Sequence, residues 1–173
     1  LTFNTSNPGV NHNKATSNGG GMYLAGGTTN VDGVRLWVEG NTAGGDGGGI
    51  YVTGANTELK TSNAGAFAIT RGNTATNCGG GIYQANGKIN FTGTGGSYLG
   101  GYGANAGNTA KRGGGAYFAG GACTISCQLQ AGANTASDRG GGFYVNGGTF
   151  TYSGSAVSME MRQPDGSRAD YEY

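Results

Sequence analysis

The 173-residue chain holds 40 glycines and 2 prolines without a Gly-X-Y period, which excludes collagen, whose glycine recurs at every third position. Charged residues make up 11% and the formal net charge is +1, too weak a field to hold nucleic acid or an acidic membrane surface. No stretch approaches the roughly 18 apolar residues of a membrane span, so no membrane insertion by this chain is expected.

In chain order, Leu1 is not a methionine and no basic segment leads into an apolar run, so the expectation is a processed mature chain or a fragment. Phe3 precedes Asn13 by the same interval as Val31 precedes Asn41, so the chain starts partway round a repeating unit, with no capping element in view. The unit then declares itself. Asn-x-Ala occurs at Asn13, Asn41, Asn73, Asn108 and Asn134, and a triple glycine follows each at Gly19, Gly47, Gly79, Gly113 and Gly140. One variable residue later stands a tyrosine, at Tyr23, Tyr51, Tyr83, Tyr117 and Tyr144. Successive triplets lie 28, 32, 34 and 27 residues apart, a spacing typical of stacked repeats.

Inside a copy the side chains alternate with the strand period of two. The pairs Met22/Leu24, Ile50/Val52, Ile82/Gln84, Ala116/Phe118 and Phe143/Val145 flank the tyrosines, which puts the pairs inward and the tyrosines outward, with Gln84 the one polar exception. A second strand carries the inward pairs Thr29/Val31, Thr57/Leu59, Ile89/Phe91, Cys123/Ile125 and Phe150/Tyr152. A third precedes the asparagine, clearest in "RLWVEGN" and "FAITRGN". Three strands per copy and no amphipathic helical stretch predict an all-β fold, a three-sided parallel β-helix (solenoid) of about five coils over residues 1–161. Each column then becomes a ladder: asparagine rungs at a turn that tolerates left-handed backbone, and glycines at a corner where no Cβ fits.

The phrase "GNTATNCGGGIY", together with "GGTFTYSG" at 147–154, resembles the repeats of bacterial right-handed β-helix surface proteins, including autotransporter passengers and polymorphic outer-membrane adhesins. The resemblance covers about residues 1–160. It implies a right-handed solenoid at the cell surface or outside the cell that adheres, assembles or scaffolds, on a fold shared with polysaccharide lyases.

For activity the residues offer little. The nine acidic residues scatter, and Asp46 and Asp138, near one turn column, fall three coils or about 14 Å apart, so no carboxylate pair for lyase or hydrolase chemistry is expected. His12 is the only histidine and has no nucleophile to serve. No metal or cofactor is expected. The aromatic column of Tyr23, Tyr51, Tyr83, Tyr117 and Tyr144 is the leading surface feature, either a platform for sugar rings or a self-stacked stiffener. Tyr98 and Tyr102, in the insertion at 93–107, are further candidates on a loop. Thr42, Thr74, Thr109 and Thr135 form a single column, with Lys14 in its first place, too narrow for a good ice-binding array. Cys123 and Cys127 can bridge only if the chain turns between them; otherwise they are buried or unpaired thiols, as is open for Cys78.

The last twelve residues hold five charges against fourteen in the preceding 161, so 162–173 reads as a distinct tail, with Tyr171 and Tyr173 on one side of a strand able to clamp a neighbouring subunit. Uncapped coils expose edges that recruit another chain. The expected function is therefore a non-catalytic extracellular or cell-surface β-helix, adhesive or polymerising head to tail. Its partners would be copies of itself or surface glycans, and the alternative is a carbohydrate-binding or carbohydrate-cleaving module.

Overall fold

A computed structural model describes residues 1–101, 106–154 and 157–158, the side chains of 68–71, 157 and 158 excepted. Among the described residues every paired strand is parallel to its neighbour, no helix occurs, and successive coils stack as a β-solenoid of about five turns.

Each coil contributes four short strands, one more than the three expected. The first sheet stacks Thr2–Phe3, Gly27–Asp32, Thr57–Ser62, Lys88–Phe91, Ala122–Ile125 and Thr149–Tyr152. The second stacks Gly9–Asn11, Arg35–Glu39, Ala66–Arg71, Ser97–Gly100, Leu129–Gly132 and Val157–Ser158. A third sheet, Lys14–Ala15, Thr42–Ala43, Thr74–Ala75, Thr109–Arg112 and Thr135–Arg139, is built from the Asn-x-Ala segment that the sequence presents as a turn. The fourth carries the tyrosines on Met22–Leu24, Ile50–Val52, Ile82–Gln84, Ala116–Phe118 and Phe143–Val145. Two-residue strands escape a period-of-two reading because alternation needs four or more residues to show.

Register follows the columns with one correction. Phe3 pairs with Val31 as the spacing requires. In the first sheet, however, Thr29 lies opposite Leu59 and Val31 opposite Thr61, which leaves Thr57 opposite Gly27. The displacement is two residues, so every side chain keeps its face, and Thr57 and Thr61 are buried beside Leu59. The core runs through the stack as apolar ladders: Met22, Ile50, Ile82, Ala116 and Phe143 in one, with Leu36, Phe67 and Leu99 facing them from the second sheet.

The triple glycines meet two different demands. The first of each triplet has positive φ, 69° at Gly19, 67° at Gly47, 66° at Gly79, 60° at Gly113 and 65° at Gly140, a conformation that costs an L-residue energy. The second and third are needed for closeness: a Cβ on Gly48 would stand 2.4 Å from the Gly80 carbonyl oxygen, and one on Gly49 2.6 Å from that of Gly81. Backbone hydrogen bonds hold the corners together. Gly47, Gly48 and Gly49 donate to the carbonyls of Cys78, Gly79 and Gly80 at 2.9, 3.0 and 3.0 Å.

Candidate functional site

The asparagine column is internal. Asn41, Asn73 and Asn108 are fully buried, and their side chains turn into the coil. The left-handed position expected at the asparagine belongs to the residue before it: φ is 57° at His12, 63° at Gly40, 56° at Gly72 and 55° at Ala133. That residue reverses the chain and frees the asparagine to reach along the rod axis. Asn41 donates its backbone N–H and its Nδ2 to Asn73 Oδ1, both at 3.0 Å, and its Nδ2 also to the Val10 carbonyl at 2.8 Å. Asn73 Nδ2 repeats the pattern one coil on, to Asn108 Oδ1 and the Val38 carbonyl, each at 2.8 Å. Asn13 donates into Asn41, and Asn108 into Asn134, in the same sense. Each buried amide is therefore satisfied by its neighbours, which is what makes a polar residue tolerable in an apolar core.

The tyrosine column lies on the outside as expected, but its rings face one another. Centroid separations along Tyr23, Tyr51, Tyr83, Tyr117 and Tyr144 are 5.0, 5.1, 5.2 and 5.0 Å, with interplanar angles of 7°, 5°, 11° and 23°. Strand spacing near 4.8 Å imposes this distance once the column is in register. The faces that would meet a sugar ring are thus occupied by a neighbouring tyrosine all along the column, except for the outer face of each end ring, Tyr23 and Tyr144. Tyr117 is only 5% exposed, with the Arg112 guanidinium 5.8 Å from its ring centre, so it is no surface aromatic; Tyr23 is 55% exposed.

Beside the rings runs a polar column. Asn18 Oδ1 accepts the Asp46 N–H at 2.9 Å, Asp46 Oδ1 accepts the Cys78 N–H at 3.0 Å, and Cys78 bridges to Arg112. Arg112 pairs in turn with Arg139, because a register shift at that rung moves Asp138 aside, where it pairs with Arg139 at 3.5 Å. Burial raises the Asp46 carboxyl above its ordinary range in spite of the Cys78 N–H and Arg112, and burial also raises the Cys78 thiol. A raised thiol pKa disfavours the thiolate a nucleophile needs. Tyr83 is pushed up to about 12, first by burial and then by Asp46, Tyr51, Cys78 and Tyr117 around it.

The Tyr83 shift predicts alkaline behaviour. A phenol whose folded-state pKa exceeds its ordinary 10.0 stabilises the fold below that value and loses the contribution as pH rises toward about 12. Thermal midpoints should therefore fall between those limits, and Tyr83→Phe should flatten the fall. An unchanged slope in that variant would mean that Tyr83 does not titrate in the stack.

The remaining sequence candidates disperse. The chain does turn after Ile125, yet Cys123 and Cys127 do not bridge: all three cysteines are free and buried. Cys123 sits in the core ladder between Ile89 and Phe150, whereas Cys127 points to Ser97 Oγ at 3.7 Å, across the corner to the second sheet. Thr42, Thr74, Thr109 and Thr135 are in register on the third sheet and not at a turn. Gln84, fully inside an apolar column, donates to the carbonyls of Gly87 and Ala122 at 3.1 Å each, tying down the next turn. Tyr102, Tyr171 and Tyr173, with the tail at 162–173, lie outside the described residues. Among the described residues no cluster of His, Cys, Asp and Glu could hold a metal ion.

Tyr98 belongs to a strand, Ser97–Gly100, and not to a loop. It faces outward on the second sheet with Trp37, and the Arg35 guanidinium carbon lies 5.0 Å from the Tyr98 ring centre and 5.8 Å from that of Trp37. Sequence reasoning missed Arg35 and Trp37. The available signal was their outward parity in "RLWVEGN", whose inward members are Leu36 and Val38.

No protein-family model, curated protein or solved structure matches this chain.

Proposed function

We propose that the chain is a non-catalytic structural module of an extracellular or cell-surface scaffold: a stiff rod that adheres, or that polymerises head to tail. The observation that carries this reading is the pair of unbroken side-chain ladders, Asn inside and Tyr outside, through which each coil is bound to the next. Such ladders resist sliding and bending between coils, a property a stalk uses and a catalytic pocket does not require. The resemblance of the repeat to bacterial surface-protein repeats supports the location. Polarity supports head-to-tail contact. From Asn13 to Asn134 the asparagine bonds run from a donor on one coil to an acceptor on the following one, so the two edges of a coil are unlike and complementary. Unlike edges make heterologous contacts that propagate as fibres.

Electron micrographs and sizing of the purified chain across a concentration series test polymerisation. Rods that lengthen with concentration are expected; a monomer at the highest concentration overturns polymerisation and leaves the stalk. Release of shortened products from a panel of polysaccharides would overturn the non-catalytic reading.

A further inference from the structure

We infer that the outer face of the second sheet is a binding site for an acidic glycan, one whose sugar rings carry carboxylates, centred on Arg35, Trp37 and Tyr98. The inference rests on the adhesive reading above and supplies the chemistry of what is held.

Trp37 and Tyr98 lie in one outward column, two coils apart, with Ala68 paired between them. By strand spacing their backbones are about 10 Å apart along the rod. The neighbouring outward column begins at Arg35, whose partner on the next coil is Ala66, only 2% exposed. Arg35 reaches Tyr98 by crossing that rung. Beyond it the Tyr98 hydroxyl lies near Gly96, where a Cβ would stand at ordinary contact distance, 3.7 Å from Tyr98 Oη and 3.4 Å from Gln128 Oε1. The result is a pair of outward rings with one guanidinium held against both and the exposed Gln128 amide beside Gly96.

The guanidinium is oriented but not neutralised. Two ring faces hold it, and among the described residues no carboxylate pairs with it; Glu39, on the same strand, stands beyond Trp37 and has interactions of its own. A cation stacked on aromatic faces keeps its N–H edge free for a bidentate carboxylate, and its side chain is already ordered before a ligand arrives. A uronic-acid sugar matches both halves of the site, with an apolar ring face for Trp37 or Tyr98 and a carboxylate for Arg35. A phosphate polymer gains its affinity from many cations, and the chain as a whole carries a net charge of only +1. An acidic peptide would want free backbone partners, which an interior sheet face, paired on both sides, does not offer.

The test is calorimetric titration of the intact chain with hyaluronan oligosaccharides, with the same oligosaccharides after reduction of their carboxyls to alcohols, and with a single-stranded oligonucleotide. Binding of the acidic form is expected, with about tenfold or greater loss for the reduced form and for Arg35→Gln, Arg35→Lys and Trp37→Ala. Tyr23→Ala, on the fourth sheet, should bind as the wild type does. Arg35→Lys keeps the charge and the fold, so its loss reports the fork and the stacking. No binding, equal binding of the reduced glycan, or Arg35-dependent binding of the oligonucleotide overturns the site. Glycan length after incubation is read separately: shortened chains sink the non-catalytic reading while the site stands.

Discussion

Gly48→Ala is expected to abolish the stack at its coil or to lower the thermal midpoint by roughly 6 to 12 °C, from an overpacking cost of about 3 kcal/mol. The added methyl would stand 2.4 Å from the Gly80 carbonyl oxygen and 2.6 Å from the Thr74 carbonyl carbon and oxygen. All three atoms are backbone. They cannot rotate away, and moving Gly80 disturbs the bond its carbonyl accepts from Gly49. The contrast is Gly26→Ala, where a methyl meets nothing within 4 Å and should leave the midpoint near that of the wild type. Circular dichroism melts of the two variants decide the matter. Equal behaviour would mean that glycine serves these corners through backbone freedom alone and not through the approach of successive coils.

Asn73→Ala should cost about 3 to 6 kcal/mol, since in a buried setting it removes the partner of the Asn41 backbone N–H, of one of the two Asn41 Nδ2 N–H groups and the Val38 carbonyl's side-chain donor. Asn13→Ala removes from an exposed rung one side-chain bond, to Asn41 Oδ1, and should cost about 1 kcal/mol. Chemical denaturation of both variants reads the difference. Similar shifts for the two would show that the ladder is decoration on a core held by its apolar columns. A large shift for Asn73 with an unchanged denaturant slope would show that the polar ladder itself carries stability.

Most of the fold was legible because the repeat is regular. Columns recurring at coil spacing must stack, and alternation around Tyr83 or Leu59 assigns each side chain to a face. The asparagine rungs were legible as rungs, yet their orientation was not: Asn is a familiar left-handed residue, so a turn reading favoured it, whereas His12 and Ala133 take that conformation here. The third sheet was hidden because three of its five strands are only two residues long. The two-residue slip of Thr57 was hidden because a shift of two preserves parity and so looks identical in a pattern of inward and outward residues.

The candidate sites were less legible. That the tyrosines form an outward column follows from spacing, but whether a ring shows its face or its edge depends on rotamers and register. The 5.0 to 5.2 Å stack closes the faces between neighbouring rings to a ligand. Arg35 and Trp37 carry no repeat signature, because their partners on the adjacent coils are Ala66 for the one and Gly9 and Ala68 for the other. Tyr98 was singled out for its place in an insertion, although its company on the sheet is what matters.

By itself, then, the order of residues determined the parallel stacked coil, the inward and outward faces, the glycine corners and the asparagine column, all of which rest on local period and on identity recurring between coils. Tertiary structure decided the fourth strand, the direction of the asparagine side chains, the closed faces of the tyrosine rings and the meeting of Arg35 with Trp37 and Tyr98. Those depend on contacts between residues some 30 to 60 positions apart, as Trp37 pairs with Ala68 and Ala68 with Tyr98, and a chain with variable coil lengths states such distances only once it is wound.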